Sequence, residues 1–527
     1  MGKINKVIFW VLFIFIFAVE VVAGYYVWHI KGFVFGDGIS RVASAFYVLY
    51  IQPPHLAAIG TTWNPLPSFL ELPLMLLWPI YKPIASSGLA GVIMTAAFAA
   101  GSAALIFKYA LEFGRSKLTA ICLAFFYCFN PFMFIYGFSG KAEIPFCFML
   151  LWLTFNYTQW LEDEKPSHVV KMAIAMALAF LIRYEIFSIT AFLFLSLILI
   201  IFTIHRAKLD PERYKSLKYS WQRAEGNSVL LLAPILYAVL AWMLYDWLIT
   251  GNPLYFLNST YSNLGFTRSY ALNATLSGLR GKPAAILDYI FLCTKFFLIP
   301  GIVIVIYRVL RLKLFKWDFL TLVFLIISTL ALQFVMLYKG ASAGALRYFI
   351  YPFAFLIAWF PYEMKKINSK LFTILCVIGL VAADLFLGIA WFEKAAFANV
   401  QEEVTDFQFK RDPVEETQRG IARYIDANLP KAKILMDSTR TYNIILNVKV
   451  PQNMVTSSNY IFEKAIKNPR ACHIDYVIIP SPVNDLNCQD AVNRAYPKLY
   501  TDGASWCELV KEFDGYYRLY QVIKKKR

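Results

Sequence analysis

Apolar residues in this chain fall in long unbroken blocks instead of the short alternations of a soluble domain. Runs near 8–28, 89–110, 118–138, 144–160, 169–183, 185–204, 229–249, 285–307, 318–338, 347–362 and 371–392 carry few charges. Each is about as long as the hydrocarbon core of a bilayer requires of a helix, so the pattern predicts about eleven membrane spans. A further run, 66–80, is interrupted by Pro67, Pro73 and Pro79 and follows Pro65. Beyond residue 396 the pattern changes. Thr417–Leu429 is periodic as an amphipathic helix, and Phe462–Lys467 reads as a second helix. Lys433–Met436 and Asp475–Ile479 read as short buried strands, and Tyr517–Ile523 alternates as a third. The expected fold class is a polytopic α-helical membrane protein with a C-terminal α/β domain. The expected domains are 1–392, with a long outer loop at 29–88, and 396–527.

Charge orients the spans. Lys3 and Lys6 precede the first run, which is too long for the apolar part of a cleaved signal and is read as an uncleaved first helix. Were 66–80 a span, Lys108–Lys117, the basic loop 205–228 and the group Arg308, Arg311, Lys313 and Lys316 would face outward. Leaving it out places all of them inside with Lys365, Lys366 and Lys370, as the positive-inside bias prefers. The run 66–80 is therefore expected to be interfacial or re-entrant. The N-terminus is then cytoplasmic, the loops 139–143, 250–284 and 339–346 face out, and so does the C-terminal domain. The expected location is a plasma or inner membrane.

Composition narrows the chemistry. Only 16% of residues are charged, against roughly 25% in soluble domains. The net charge of +17 is thereby read as lipid-facing, with no nucleic-acid partner. The eight cysteines include no CxxC pair, which argues against a zinc site. Cys472 and Cys488 form a candidate disulfide on the outer side. No glycine-rich nucleotide loop occurs in the tail, and the inner loops are too short for a nucleotide-sugar domain.

The polar residues that remain gather near the outer surface. Asp37 stands between two glycines in Gly36-Asp37-Gly38-Ile39-Ser40-Arg41. It is sterically open and suited to accept a proton from an acceptor hydroxyl, or else it is a turn aspartate that caps a helix. Arg347, eight residues after Lys339, begins a span in Arg347-Tyr348-Phe349-Ile350-Tyr351-Pro352. An arginine there suits a lipid phosphate, or it snorkels at the interface. Arg183 and Glu185 interrupt two apolar runs, as site residues or as an ion pair shaping the turn. Glu143 and Lys141 share a short outer loop, and His55, Trp63, Asn64 and Glu71 lie in the long one. Glu20 lies within the first span. An aspartate base and an arginine at one membrane surface are what transfer from a lipid phosphate needs.

On these residues the membrane region, 1–392, resembles the GT-C superfamily of integral-membrane glycosyltransferases, which includes protein O-mannosyltransferases, the lipid A aminoarabinose transferase and oligosaccharyltransferases. In that superfamily a catalytic acid lies in the first outer loop, the position of Asp37 here. Arg347-Tyr348 with Pro352 is similar to the late arginine of lipid-phosphate-sugar users, and Leu181-Ile182-Arg183-Tyr184-Glu185 looks like a recurring hairpin. The first-loop segments, His55-Leu56-Ala57-Ala58-Ile59-Gly60 and Trp63-Asn64-Pro65-Leu66-Pro67 among them, look like a bacterial branch. The resemblance implies a polyprenyl-phosphate sugar donor, an acceptor that is a glycan, lipid or protein, and an inverting displacement. Asp37 is then the base, Arg347 with Lys339 holds the phosphate, and Glu143, Arg183, Glu185, His55, Trp63 and Asn64 are further site residues. Metal-dependent members use several carboxylates in the second outer loop, where only Glu143 stands here, so no cofactor is expected and a divalent metal is not favoured. The rival expectations are a transporter or flippase of lipid-linked sugars and a non-catalytic membrane scaffold.

Overall fold

The structure, a computed structural model, describes residues 2–203, 217–259, 262, 274–392, 409, 411–483 and 490–523. Cys488 and the first half of the basic loop 205–228 lie outside the described residues, so the Cys472–Cys488 pairing does too. The principal helices are α1 (Lys3–Gly24), α2 (Gly36–Tyr50), α3 (Leu66–Met75), α4 (Leu89–Glu112), α5 (Lys117–Cys128), α6 (Pro131–Gly137), α7 (Glu143–Asp163), α8 (Pro166–Phe180), α9 (Ile186–Thr203), α10 (Leu217–Thr250), α11 (Pro283–Leu310), α12 (Trp317–Lys339), α13 (Tyr351–Ile367) and α14 (Lys370–Phe392). A π-helical turn, Tyr25–Lys31, extends α1.

Every expected span is helical, yet the count by length and composition differs. Among the described residues seven helices are long and apolar enough to cross a membrane, or eight if α5 and α6, bent by 73°, form one span. The remainder are α7, α8 and α13. Helix α8 has 15 residues and α13 has 17. Helix α13 is buried from Tyr351 to Met364, and α7 is buried along most of its length. Helices enclosed by other helices need not satisfy lipid on every face. The bend between α5 and α6 has a local cause: Pro131 has no N–H to continue the helix, and Asn130 caps the new one by accepting from Phe132 N at 3.3 Å. Asn130 also donates to Asp384 of α14 at 2.6 Å. The ten-residue helix α3 is far too short to cross, and Leu70, Leu76, Leu77 and Ile80 on or after it are exposed. The chain is a multi-pass membrane protein carrying a small C-terminal sheet domain.

It forms two compact units. The helical unit comprises Met1–Val22, Thr95–Phe138 and Ala142–Phe407. Its charges collect at two ends. At one, Arg115 donates to the Met364 carbonyl at 3.2 Å, Lys365 reaches Glu162 at 2.7 Å, and Arg308 reaches Glu363. At the other, Arg183 reaches Glu143. Helices α7 and α13 run between the two ends, and a helix of about 20 residues separates them by about 30 Å.

The second unit comprises Ala23–Met94, Ser139–Lys141 and Gln408–Arg527. The outer loop thus belongs with the tail, and the units cut across the division expected at 392–396. The contacts explain this. Arg411 and Arg419 of the tail donate to the carbonyls of Lys31 and Gly32, which end the first helix. His55 stacks on Tyr460 at 4.0 Å, and Asn459 donates to the Gln52 carbonyl at 2.9 Å. The tail adds α15 (Pro413–Asn428), α16 (Ser438–Asn447) and α17 (Phe462–Lys467), and α2 packs on α16.

Five strands, β1 (Ile434–Leu435), β2 (Met454–Val455), β3 (Tyr476–Pro480), β4 (Cys507–Phe513) and β5 (Tyr517–Val522), form one sheet in the order β2-β1-β3-β5-β4. The pairs β1/β2 and β1/β3 are parallel, and β5 runs antiparallel to β3 and β4. Leu435, Val477, Ile479, Tyr520 and Val522 form its core with Phe462 and Leu499.

Among the described residues three aspartates cap helices in the tail, the first being Asp412, which accepts from Val414 N at 2.9 Å. Asp437 accepts from Thr439 N at 3.0 Å and from Ala491 N at 2.7 Å; Asp490 accepts from Val492 N and Asn493 N. Burial, with the Asp437 carboxylate beside it, pushes the Asp490 carboxyl well above the usual range. A raised folded-state pKa favours folding fully below the unfolded value of about 3.9, and the contribution is lost as pH rises through the folded value. Asp490→Asn keeps the cap and removes this titration. Its Tm should match the parent's near the unfolded pKa and exceed it at neutral pH. A Tm difference that does not change with pH would contradict the assignment.

Candidate functional site

In the helical unit, four of the expected site residues meet at one end. Glu143 is the first residue of α7 and is 1% exposed. Arg183, in the turn between α8 and α9, donates from Nη1 to Glu143 Oε1 at 2.5 Å. It also donates from Nε and Nη2 to Glu185 Oε1 at 3.0 and 2.6 Å. The ion pair considered for that turn is therefore formed, and it extends to a third element. Burial opposes the charge of Arg183, and the Glu185 and Glu143 carboxylates with Tyr351 more than reverse this, holding its pKa well above the usual value.

Arg347 joins the same carboxylate. Its Nε lies 3.6 Å from Glu143 Oε1. It sits in a 3-10 turn, Leu346–Phe349, ahead of α13, where Pro352 begins the helix and needs no donor. Both guanidiniums lie 5.4 Å from the Tyr348 ring, and Arg183 lies 6.0 Å from Tyr351. The loop before Arg347 is held by Tyr289, which donates to Gly344 O at 2.6 Å, and by Ser342, which donates to Gln333 at 2.9 Å. The two arginines thus have different work. Arg183 spends three donors on carboxylates and braces the turn. Arg347 is oriented by Glu143 through one edge of its fork. Two cations against Glu143 and Glu185 make the cluster neutral in sum, as a buried cluster must nearly be.

In the second unit, α2 begins at Gly36, with Phe35 as its N-cap residue and no side-chain cap. Asp37 lies inside the first turn, half-buried, instead of preceding the helix as a capping residue would. The glycine after it is there for space. A Cβ on Gly38 would collide with the Ser139 carbonyl and lie 2.9 Å from Trp28. Gly91 and Gly140 meet there as well: a Cβ on Gly140 would lie 3.3 Å from the Gly38 Cα and 3.4 Å from the Gly91 Cα. This backbone contact fixes the 139–141 segment against α2. It also places the Lys141 ammonium 5.3 Å from the Phe35 ring.

Arg41, one turn after Asp37 on α2, is buried. It donates to the Asn64 carbonyl at 3.1 Å and lies 5.1 Å from the Trp63 ring. Trp63 and Asn64 therefore hold Arg41. His55 packs on the tail instead, and Lys339 is exposed at the end of α12. Glu20 is buried against Gly137 in the helical unit.

Sequence reasoning passed over Arg41, Tyr348 and Tyr351 and gave Glu71 no role. The i,i+4 spacing of Asp37 and Arg41 was the available signal for the first, and the adjacency of the tyrosines to Arg347 for the next two. Glu71 is fully buried, and neither carboxylate oxygen has a hydrogen-bond partner among the described residues. Burial pushes its carboxyl well above the usual range, with Arg41 acting the other way.

Two substitutions test this geometry. Glu143→Ala strips one partner from two arginines and should destabilise the protein by about 3–5 kcal/mol. Gly38→Ala forces the 139–141 segment off α2 and should cost about 1–3 kcal/mol. Thermal unfolding in detergent reads both, and an unchanged Gly38→Ala would refute the close-approach account.

Among solved structures, ArnT from Cupriavidus metallidurans, bound to undecaprenyl phosphate, is similar to this chain at a TM-score of 0.53 and 11% identity, over 98% of this chain and 98% of that one. The Archaeoglobus fulgidus oligosaccharyltransferase in its apo form matches at a TM-score of 0.45 and 12% identity, over 89% of this chain and 69% of that one. No protein-family model and no curated protein matches the chain. Taken with the succession of helices and the C-terminal sheet, the end-to-end likeness to ArnT means that the chain has a GT-C-like fold.

Proposed function

We propose that this protein is a membrane glycosyltransferase that moves a sugar from a polyprenyl-phosphate carrier to an acceptor on the extracytoplasmic face. The observation that carries the reading is Arg347, oriented by a buried carboxylate and set beside the Tyr348 ring at one end of the helical unit. Arginine's planar fork suits a phosphate there. ArnT, similar in fold, was solved with undecaprenyl phosphate, a polyprenyl phosphate. In this reading the Arg347 end faces outward and the end rich in Lys and Arg faces the cytoplasm. The exposed apolar residues of α3 then lie in the outer interface. The membrane region 1–392 carries the reaction, and the tail braces the first outer loop.

The step is an inverting displacement. Asp37 takes the proton of an acceptor hydroxyl, and the oxygen attacks the anomeric carbon opposite the phosphate. The new glycosidic C–O bond forms as the bond from the anomeric carbon to phosphate oxygen breaks. Its electron pair leaves with the polyprenyl phosphate. Arg347, with Lys339 as a second cation at the same end, stabilises the added negative charge. Glu143 and Arg183 position Arg347, with Glu185 completing the brace. Trp63 and Asn64 position Arg41 beside the base, and His55 ties the loop to the tail.

A panel of radiolabelled polyprenyl-phosphate sugars with membrane extract as acceptor tests the roles. Asp37→Asn should lower kcat by about 10²–10⁴-fold with KM for the lipid little changed. Arg347→Lys keeps the charge, loses the fork, and should affect both. Transfer by Asp37→Asn at the parent rate would remove the base from the mechanism. Unchanged kinetics in Arg347→Ala would remove the phosphate role.

A further inference from the structure

The helical unit has a polar cavity, of about 690 Å³, at the end opposite Arg347. It lies where α11, α12 and α13 meet, and it contains Arg308, Arg311, Lys313, Lys316, Asp318, Glu363 and Lys366. Charge matching inside it is unequal. Arg308 is buried and donates to Glu363 at 2.6 and 2.7 Å and to Asp318 at 3.2 and 3.3 Å. Lys366 pairs with Asp318 as well. Trp359 donates to Glu363 and Tyr362 to Asp318. Two cations therefore answer two carboxylates in the floor of the cavity. Arg311, Lys313 and Lys316, on the turn between α11 and α12, are exposed, and among the described residues no carboxylate pairs with them. Three positive charges are left at the mouth.

The same turn carries apolar side chains turned outward. Leu312 is 93% exposed and Phe315 is 83% exposed. Leu310 beside them is exposed too. A turn joining two membrane helices that alternates cations with large apolar residues matches a bilayer interface, where long basic chains meet phosphates and apolar chains enter the acyl layer. A free phosphate would account for the cations but not for Leu312 and Phe315. We propose that this cavity binds the phosphate headgroup of an anionic phospholipid in the leaflet at this end of the helical unit. Arg311, Lys313 and Lys316 hold the phosphate, and Leu312 and Phe315 stand among the acyl chains. The inference is independent of the transfer reaction.

Native mass spectrometry of the full-length protein in detergent, titrated with phosphatidylglycerol or phosphatidylcholine, tests it. Phosphatidylglycerol should bind about tenfold more tightly or better, since each basic residue near a headgroup adds to the attraction. The triple variant R311A/K313A/K316A, confined to exposed positions, should bring the two lipids to parity. L312S/F315S should weaken both lipids and leave inorganic phosphate binding unchanged. Equal binding of the two lipids by the parent, or a retained preference in the triple variant, would overturn the proposal. Inorganic phosphate binding as tightly as phosphatidylglycerol would assign the cavity to a free anion and overturn the lipid assignment.

Discussion

A charge inside a helical membrane protein must be answered by another charge or kept out of the apolar layer. Glu143 is where this constraint shapes the helical unit. Its carboxylate, at the first turn of α7, is shared by an arginine from the α8–α9 turn and by one from the 3-10 turn before α13. Three segments distant in sequence are thereby held at one end of the unit. At the other end Arg308 does the same for Asp318 of α12 and Glu363 of α13. Between these clusters α13 is buried residue after residue, and its position follows from the ion pairs at its two ends.

The second unit solves a different problem. A long loop beside a membrane has little apolar surface to bury and tends to wander. Here the tail supplies the missing contacts. Arg411 and Arg419 close the end of the first helix, α16 lies under α2, and Tyr460 stacks on His55. The glycines at 38, 91 and 140 then let three backbone segments touch. A carboxylate in the first turn of a helix so braced has little freedom, which is what a base for a positioned hydroxyl requires. The tail and the first outer loop are thus packed as one unit.

Much of this was legible in the residues. Apolar run length located every helix of ten or more residues between 89 and 392, and charge bias led to reading 66–80 as interfacial or re-entrant, where the structure has the ten-residue α3. The helix Phe462–Lys467 and the strands at 434, 476 and 517 follow from periodicity. Strand β4 escaped because its pattern is misleading: Glu508 to Glu512 are exposed on a sheet edge, and a register shift lies between Leu509 and Lys511. The grouping of the outer loop with the tail escaped because it rests on side chains as far apart as Gln52 and Asn459. Arg183 and Glu185 were visible as misfits in an apolar context, but their partner on α7 was not. That pairing depends on tertiary placement, to which no local signal points. A count by length and apolarity alone falls short of the eleven expected spans for a related reason, since α7, α8 and α13 are sheltered or short and need less apolar length than lipid-facing helices.

The central claim is that a polyprenyl-phosphate-linked sugar is cleaved at its anomeric carbon with Asp37 as base. Its most direct test is the release of free polyprenyl phosphate from a labelled polyprenyl-phosphate sugar by purified protein, started by adding acceptor-containing membrane extract. The account predicts acceptor-dependent release by the parent protein and its loss in a folded Asp37→Asn variant. Equal release by both proteins, or movement of intact lipid-linked sugar across the bilayer with no release at all, would contradict it.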